Sequence, residues 1–521
     1  MTTHSFHTKK ILFGILFLIV SLGSFAQGNP LYLEHAELLS FDKNSMDCQI
    51  FSGNVQFRQD KMALFCDTAY FYDKENLMRA FGNVCIKQGD LTIHSKYMVY
   101  DRNTGIARMR RNVRLINGDL TLETDSLDFD RDNDRGIYKH GGTLIDAQNT
   151  LTSVCGEFKM QENDNLFWDN VVLVNEEITL HTDTLRYDTN LKTMYFIAPT
   201  HIDYKDDTKI YTEDGFYNTE TETTKLFKNS RVKKTDGKQL RGDTIFYNKS
   251  AGFGEVFHRA ELLDTVQQTI LRAHYVYYNE NTEESLARDS ALLMDYSSAD
   301  TLFLHAKLML TLPDSCFTIG KAIGNVRFYH EDVQGRCDSL IYTSRDSIAS
   351  MYSNPILWSD NNQISGDFIQ IYTKDNKFDW MHIQQSAFAI EQIDTTCYNQ
   401  LIGKELKAFT EEGQLKRIEV TGNAQTIYFP KDDEDGSLVG MNKAESSKIT
   451  IYLKNRKMDW ILMTPASKGV IYPMENLTAA QMYFPGFIWQ EEVRPKDKMD
   501  VFVEKSPAEP AVKKPERRRK K

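Results

Sequence analysis

The chain has 521 residues, with 62 Lys and Arg against 73 Asp and Glu, and a formal net charge of −11 at pH 7. Charged residues at 26% beside hydrophobic ones at 41% describe a folded chain and exclude a disordered one. The acidic balance does not suit a nucleic-acid binder, and seven Cys are too few for a disulfide-built scaffold.

The N-terminus reads as an export signal. Lys9 and Lys10 precede an apolar run from Ile11 to Val20, and Ser24-Phe25-Ala26 follows. A charged region, a short apolar run and a small-x-small site predict a signal peptide over 1–26, cleaved after Ala26. The alternative is an uncleaved anchor. The run is short for a membrane span, and no later stretch could cross a bilayer as a helix. The mature chain is therefore expected in the periplasm.

From residue 27 the chain repeats. Let n be a central position, Asp183 in LHTDTLRYD (Leu180–Asp188). Equivalent positions are Asp67, Lys96, Asp125, Val154, Glu213, Asp243 and His274, then Asp338 and Asp367. Weaker copies centre on Glu37, Lys307, Lys404 and Glu445. The early steps are about 29 residues, a period that signals stacked units. Identity at n varies, while its surroundings hold. Position n−3 is aliphatic (Leu64, Ile93, Leu122, Leu180), n−1 is small (Cys66, Ser95, Thr124, Thr182), n+2 is apolar and n+4 is aromatic (Phe71, Tyr100, Phe129, Tyr187).

In a flat strand n−3 and n−1 share one face, and n+2 and n+4 share the other. Both pairs reach one interior only if the strand bends near n. Polar turns such as Asp188-Thr-Asn190 then lead into a second strand. That strand carries the triplets Gly53-Asn54-Val55, Gly82-Asn83-Val84 and Gly324-Asn325-Val326, where Gly suits the same bend. The expected fold is all-β: antiparallel strand pairs of about 29 residues, two sheets and an apolar interior between them. The repeats are regular over 27–300 and looser over 301–496, which predicts a second module with insertions such as Lys431–Lys443. Residues 497–521, ending KKPERRRKK, read as a disordered basic tail.

No catalytic pattern stands out: HExxH, G-x-S-x-G and GxxxxGK[ST] are all missing. His94 and His181 fall at n−2, on the outward face. Asp130, Asp132 and Asp134 have alternate spacing, but Arg135 and Gly141 stand where a calcium loop needs Gly and Glu. No enzyme activity, metal or cofactor is expected. The expected lining of the interior is Leu127, Phe129, Leu185, Tyr187, Ile245, Tyr247, Val276, Tyr278, Leu340 and Tyr342.

GNV triplets followed by small-Asp-x-apolar-x-aromatic corners resemble the OstA-like family, the LptA group of lipopolysaccharide-transport proteins. The segments carrying this are Phe51–Val113, beginning FSGNVQFRQDKMALFCDTAYFYD, and Gly324–Tyr372, with GNVRFYHEDVQGRCDSLIYTS. The resemblance implies an open β-jelly roll, a V-shaped trough that shelters lipopolysaccharide acyl chains in the periplasm. It also implies partners: lipopolysaccharide or a related lipid, other transport components of the inner and outer membranes, and end-to-end self-association. The chain departs from the family in its length, which suggests several fused modules, and in having no barrel after the last repeat. The competing reading is an exported structural or adhesive β-solenoid with a filled core; a carbohydrate-active β-helix enzyme is disfavoured by the missing site.

Overall fold

The computed structural model describes residues 31–41, 48–159, 162, 164–314, 317–374, 377–411, 414–432, 435–454 and 457–505. The signal-peptide region, Cys316 and residues 506–521 lie outside them. The described residues form thirty-six strands, a four-residue helix and three short 3-10 turns. Neighbouring strands pair antiparallel throughout, as expected for stacked strand pairs in the manner of an open β-jelly roll. Two compact units result. One holds residues up to Asp206 with Glu213–Glu220, and the other Asp207–Thr212 with everything from Thr221 on. The boundary expected near residue 300 falls inside the second unit, where pairing runs unbroken from Ser285–Asp295 through Leu302–Asp314 to Phe317–Tyr329.

Each long strand bends where the parity argument places the bend. In Leu120–Asp130 the buried residues are Leu122 and Thr124, then Leu127 and Phe129. The buried parity switches across Asp125. On the facing strand the ladder skips from Arg110 to Val113, so two residues stand against one, the geometry of a bulge. The two bulge residues are both left-handed: Arg111 at φ 67° and Asn112 at φ 54°. The same pair recurs as Gly53-Asn54, Gly82-Asn83, Lys228-Asn229, His258-Arg259, Asp289-Ser290, Gln385-Ser386 and Gly422-Asn423. The GNV triplet is thus the Gly-bearing version of a device that recurs along both units. Non-Gly residues in this region cost free energy, which the fold around them must offset.

Residue n supplies part of that offset. Asn83 Nδ2 donates to both Asp67 carboxylate oxygens at 3.1 and 3.3 Å. Asn54 donates to Glu37 at 2.8 Å, and Arg259 clamps Asp243 through Nε at 2.9 and 3.0 Å. Those hydrogen bonds hold the Asp243 carboxyl below its ordinary range. Where n is Lys307 or Lys404, the aliphatic stem lies over Gly324 or Gly422 instead. The acid at n is therefore a corner clasp at Glu37, Asp67 and Asp243, whereas among the described residues Asp183 accepts only from the neighbouring Thr184 hydroxyl, at 2.9 Å. The last copy is centred differently from the sequence reading: the bulge at Gly422-Asn423 faces Ser447, not Glu445. Replacing Gly82 by Ala places a methyl group against the Asp67 carboxylate at φ +69°. The expected cost is about 1–3 kcal/mol, read as a lower urea midpoint.

The C-terminal segment is not a tail over its whole expected length. After the final strand, Lys468–Tyr472, the chain turns back and straps the outer face of the second unit. Phe484 packs with Ile427, Phe429 and Met441; Val493 packs with Ile356 and Trp358; Val501 packs with Leu292 and Met294. Residues 497–505, placed in the tail by sequence, thus include a fully buried valine. The strap reads the sheet at regular intervals. Gln400 donates to Met482 O (2.7 Å) and accepts from Phe484 N (2.9 Å). Gln363 does the same with Ile488 O (2.8 Å) and Gln490 N (2.7 Å). Arg494 donates to Gln334, and Arg327 donates to Val501 O at 3.2 Å.

Near the far end of the strap, His305 lies beneath Phe502, with ring centroids 4.9 Å apart, and its Nδ1–H donates to Ala291 O. Burial lowers its pKa from the ordinary 6.5, and the Arg327 guanidinium lowers it further, while Glu504 lies close to Arg327. A depressed imidazole pKa gives stability that is complete above the unfolded value and lost as pH falls through the folded one. Amide exchange at 500–505, corrected for intrinsic rate, is therefore expected to quicken below about pH 6.5. His305→Phe is expected to flatten that dependence.

Candidate functional site

The bent strands give each unit two inner walls. Along the first unit's wall at n−3, directly opposed residues run Leu64, Ile86, Ile93, Leu115, Leu122, Leu144 and Leu151. The facing wall at n+4 runs Phe71, Met78, Tyr100, Ala107, Phe129, Gly136, Phe158, Asn165, Tyr187 and Met194. Large rings and thioethers fill this interior. Leu127, Phe129 and Leu185 are fully enclosed, and Tyr187 nearly so. Even the small positions are occupied: a Cβ on Gly156 would collide with the Tyr138 ring.

Polar groups close the first unit's mouth. Tyr100 OH donates to Gln59 on the opposite wall at 2.8 Å and accepts from Arg131 at 2.8 Å. Gln88 donates to Asp134 at 3.0 Å, and Tyr187 OH reaches Asp146 at 3.4 Å. Burial is the main cause that pushes the Tyr100 and Tyr187 hydroxyl pKa values up, so both stay protonated donors at neutral pH. Apart from Tyr100–Arg131, the partners stand 41 or 46 residues apart, which made them invisible to a reading by 29-residue period.

The second unit keeps the walls but not the seal. Its n−3 row runs Leu240, Leu262, Leu271, Leu293 and Leu304, and all five are half-buried. Ile245 and Val276 are buried, Tyr247 and Leu340 half-buried, and Tyr278 and Tyr342 exposed at 37% each. One cross-mouth cluster joins Lys234 and Tyr247 to Glu280, at 3.0 Å each. The ten expected lining residues therefore divide: those of the first unit, with Ile245 and Val276 of the second, are buried, whereas Tyr247, Tyr278, Leu340 and Tyr342 are partly or well exposed.

Other sequence candidates are structural. Asp130 accepts from the backbone of Asp132 and Asn133 at 3.1 and 3.2 Å, an acidic turn. His94 and His181 are exposed. Among the described residues, no group of three or more His, Cys, Asp or Glu is placed to hold a metal. Six Cys are unpaired there, with burial pushing the Cys66 and Cys337 thiols up to about 12. No helix among the described residues is long and apolar enough to cross a membrane.

Residues 29–183, which contain the first clasped corners and most of the sealed interior, match the family described as OstA-like protein. This segment is similar to OstA-like proteins. The match ends at Asp183, inside the first unit. Among solved structures, part of the chain is similar to LptH of Pseudomonas aeruginosa, described as the LptA-homologous periplasmic component of the lipopolysaccharide transport device. Identity is 12%, the TM-score is 0.12, and the match covers 31% of this chain and 77% of that one. No curated protein matches the sequence.

Proposed function

We propose that the protein is a non-catalytic, periplasmic lipid-binding bridge that shelters lipopolysaccharide acyl chains between its inner walls during transport to the outer membrane. The observation that carries this reading is the accessible leucine wall of the second unit, Leu240 to Leu304, faced by exposed Tyr278 and Tyr342. Hydrocarbon laid against such a wall leaves water at about 25 cal/mol per Å² of apolar surface. The similarity of residues 29–183 to OstA-like proteins supports the assignment to lipopolysaccharide transport, and the apolar run after Lys9 and Lys10 supports export. Lipopolysaccharide and other transport components are the corresponding partners. The filled interior of the first unit favours a second reading for that unit, a structural spacer with a packed core.

The test is photo-crosslinking in cells with the probe at Tyr278 or Tyr342, which face inward, and at Tyr277 or Ile341, which face outward. Lipopolysaccharide adducts at the first pair alone are expected. Adducts confined to the outward pair, or absent from all four, would reject the reading.

A further inference from the structure

The n+4 row of the second unit is interrupted. Directly opposed residues run Tyr278, Ser285, Thr311, Gly320 and Tyr342. Two tyrosines stand as posts, with three small residues between them. The posts are four strand spacings apart, roughly 19 Å. In the first unit no such gap exists, because Phe129, Phe158 and Tyr187 alternate with single smaller residues. A Cβ built on Gly320 meets nothing within 4 Å, so the gap opens on free space. Behind it lie Leu271, Leu293 and Leu304, all half-buried, and beneath it the buried small side chains Ala287 and Ala322.

We infer that this notch between Tyr278 and Tyr342 is the acyl-chain seat and side port of the second unit. The inference rests on the proposed lipid-sheltering role and narrows it to one place. Two features select the occupant. The strands that form the notch are paired on both sides, so no backbone donors or acceptors are free to add a peptide strand. The leucine wall behind offers only hydrocarbon, which suits a chain with no polar groups to satisfy. A saturated acyl chain, extended along the leucine row with its polar head beyond the tyrosine posts, meets both conditions. The posts present rings with an apolar body and a polar tip, the arrangement expected at the edge of a lipid.

Gly320→Phe tests the seat, because the space over Gly320 accepts a side chain without collision and the residue does not need positive φ. Titration of the full exported chain with a fluorescent anthroyloxy-stearate is the readout. The variant is expected to keep its melting temperature and to raise Kd about tenfold, the equivalent of losing a few buried methylenes. Thr311→Phe is expected to act in the same direction, and Leu127→Ala, in the sealed interior, to leave Kd unchanged. A photo-crosslinker at Leu293 is expected to capture lipopolysaccharide, and one at Leu122 is not. Unchanged Kd in both Phe variants overturns the notch, as do adducts at Leu122 without adducts at Leu293, while the lipid-sheltering role stands. Stearate that binds nowhere in the chain, together with adducts at neither position, overturns the role itself.

Discussion

Replacing Trp358 by Ala is expected to destabilise the second unit by about 3–5 kcal/mol, the usual cost of emptying a large buried aromatic site. Trp358 is fully enclosed, between Ile356 and Val493 of the strap. Its Nε1–H donates to Gln363 Oε1 at 3.3 Å, and that same oxygen accepts from Gln490 N. The substitution therefore removes ring contacts and loosens the residue that holds the strap's backbone. Gln363→Leu is expected to cost less, about 1–3 kcal/mol, because it leaves Ile488 O and Gln490 N without their partner. Both variants should make the segment from 474 to 505 sensitive to protease before global unfolding. Trp460, 49% exposed on the strand Lys457–Thr464, is the control: Trp460→Ala should shift the urea midpoint little. Equal effects at Trp358 and Trp460 would mean that the strap is not integral to the unit.

Phe158→Ala should be comparably severe in the first unit, again about 3–5 kcal/mol. The Phe158 ring lies 5.5 Å from Phe167 at 78° and 6.1 Å from Tyr138, so aromatic contacts are lost in addition to area. The equivalent n+4 position in the second unit behaves differently. Tyr342 is 37% exposed, and Tyr342→Ala is expected to cost about 1 kcal/mol or less. One repeat position thus separates by several kcal/mol between two units of one chain. Urea denaturation of both variants checks this. Near-equal losses would indicate that the second interior closes in solution as the first does.

That separation bears on mechanism. A sealed interior cannot pass hydrocarbon unless its rim bonds, such as Tyr100–Gln59 and Gln88–Asp134, open. Each is a modest contact of about 1 kcal/mol net, but the Phe158 and Phe167 rings behind them would have to move as well. The second unit needs no such opening at its leucine wall.

The sequence by itself determined the period, the strand pairing and the bend. Those are local: Leu122 and Thr124 against Leu127 and Phe129 contradict a flat strand whatever surrounds them. It also identified Asp183 and its equivalents as corner residues, since a position occupied by Lys96 and Val154 elsewhere is not a unique acid. Their partners were less legible. Asn83 is read easily after Gly82, but Lys228-Asn229 and Gln385-Ser386 carry no glycine to mark the left-handed pair. Tertiary structure alone decided whether an interior is closed. Leu122 and Leu304 both stand at n−3 and are the same residue type; what differs is the opposite wall, where n+4 is Phe129 in one unit and Thr311 in the other. Tertiary structure also decided the strap. Gln334, Gln363 and Gln400 fall at outward parity and read as solvated polar residues until the returning chain buries them. Burial of an outward face depends on what comes back to cover it, and a repeat pattern records only what faces in.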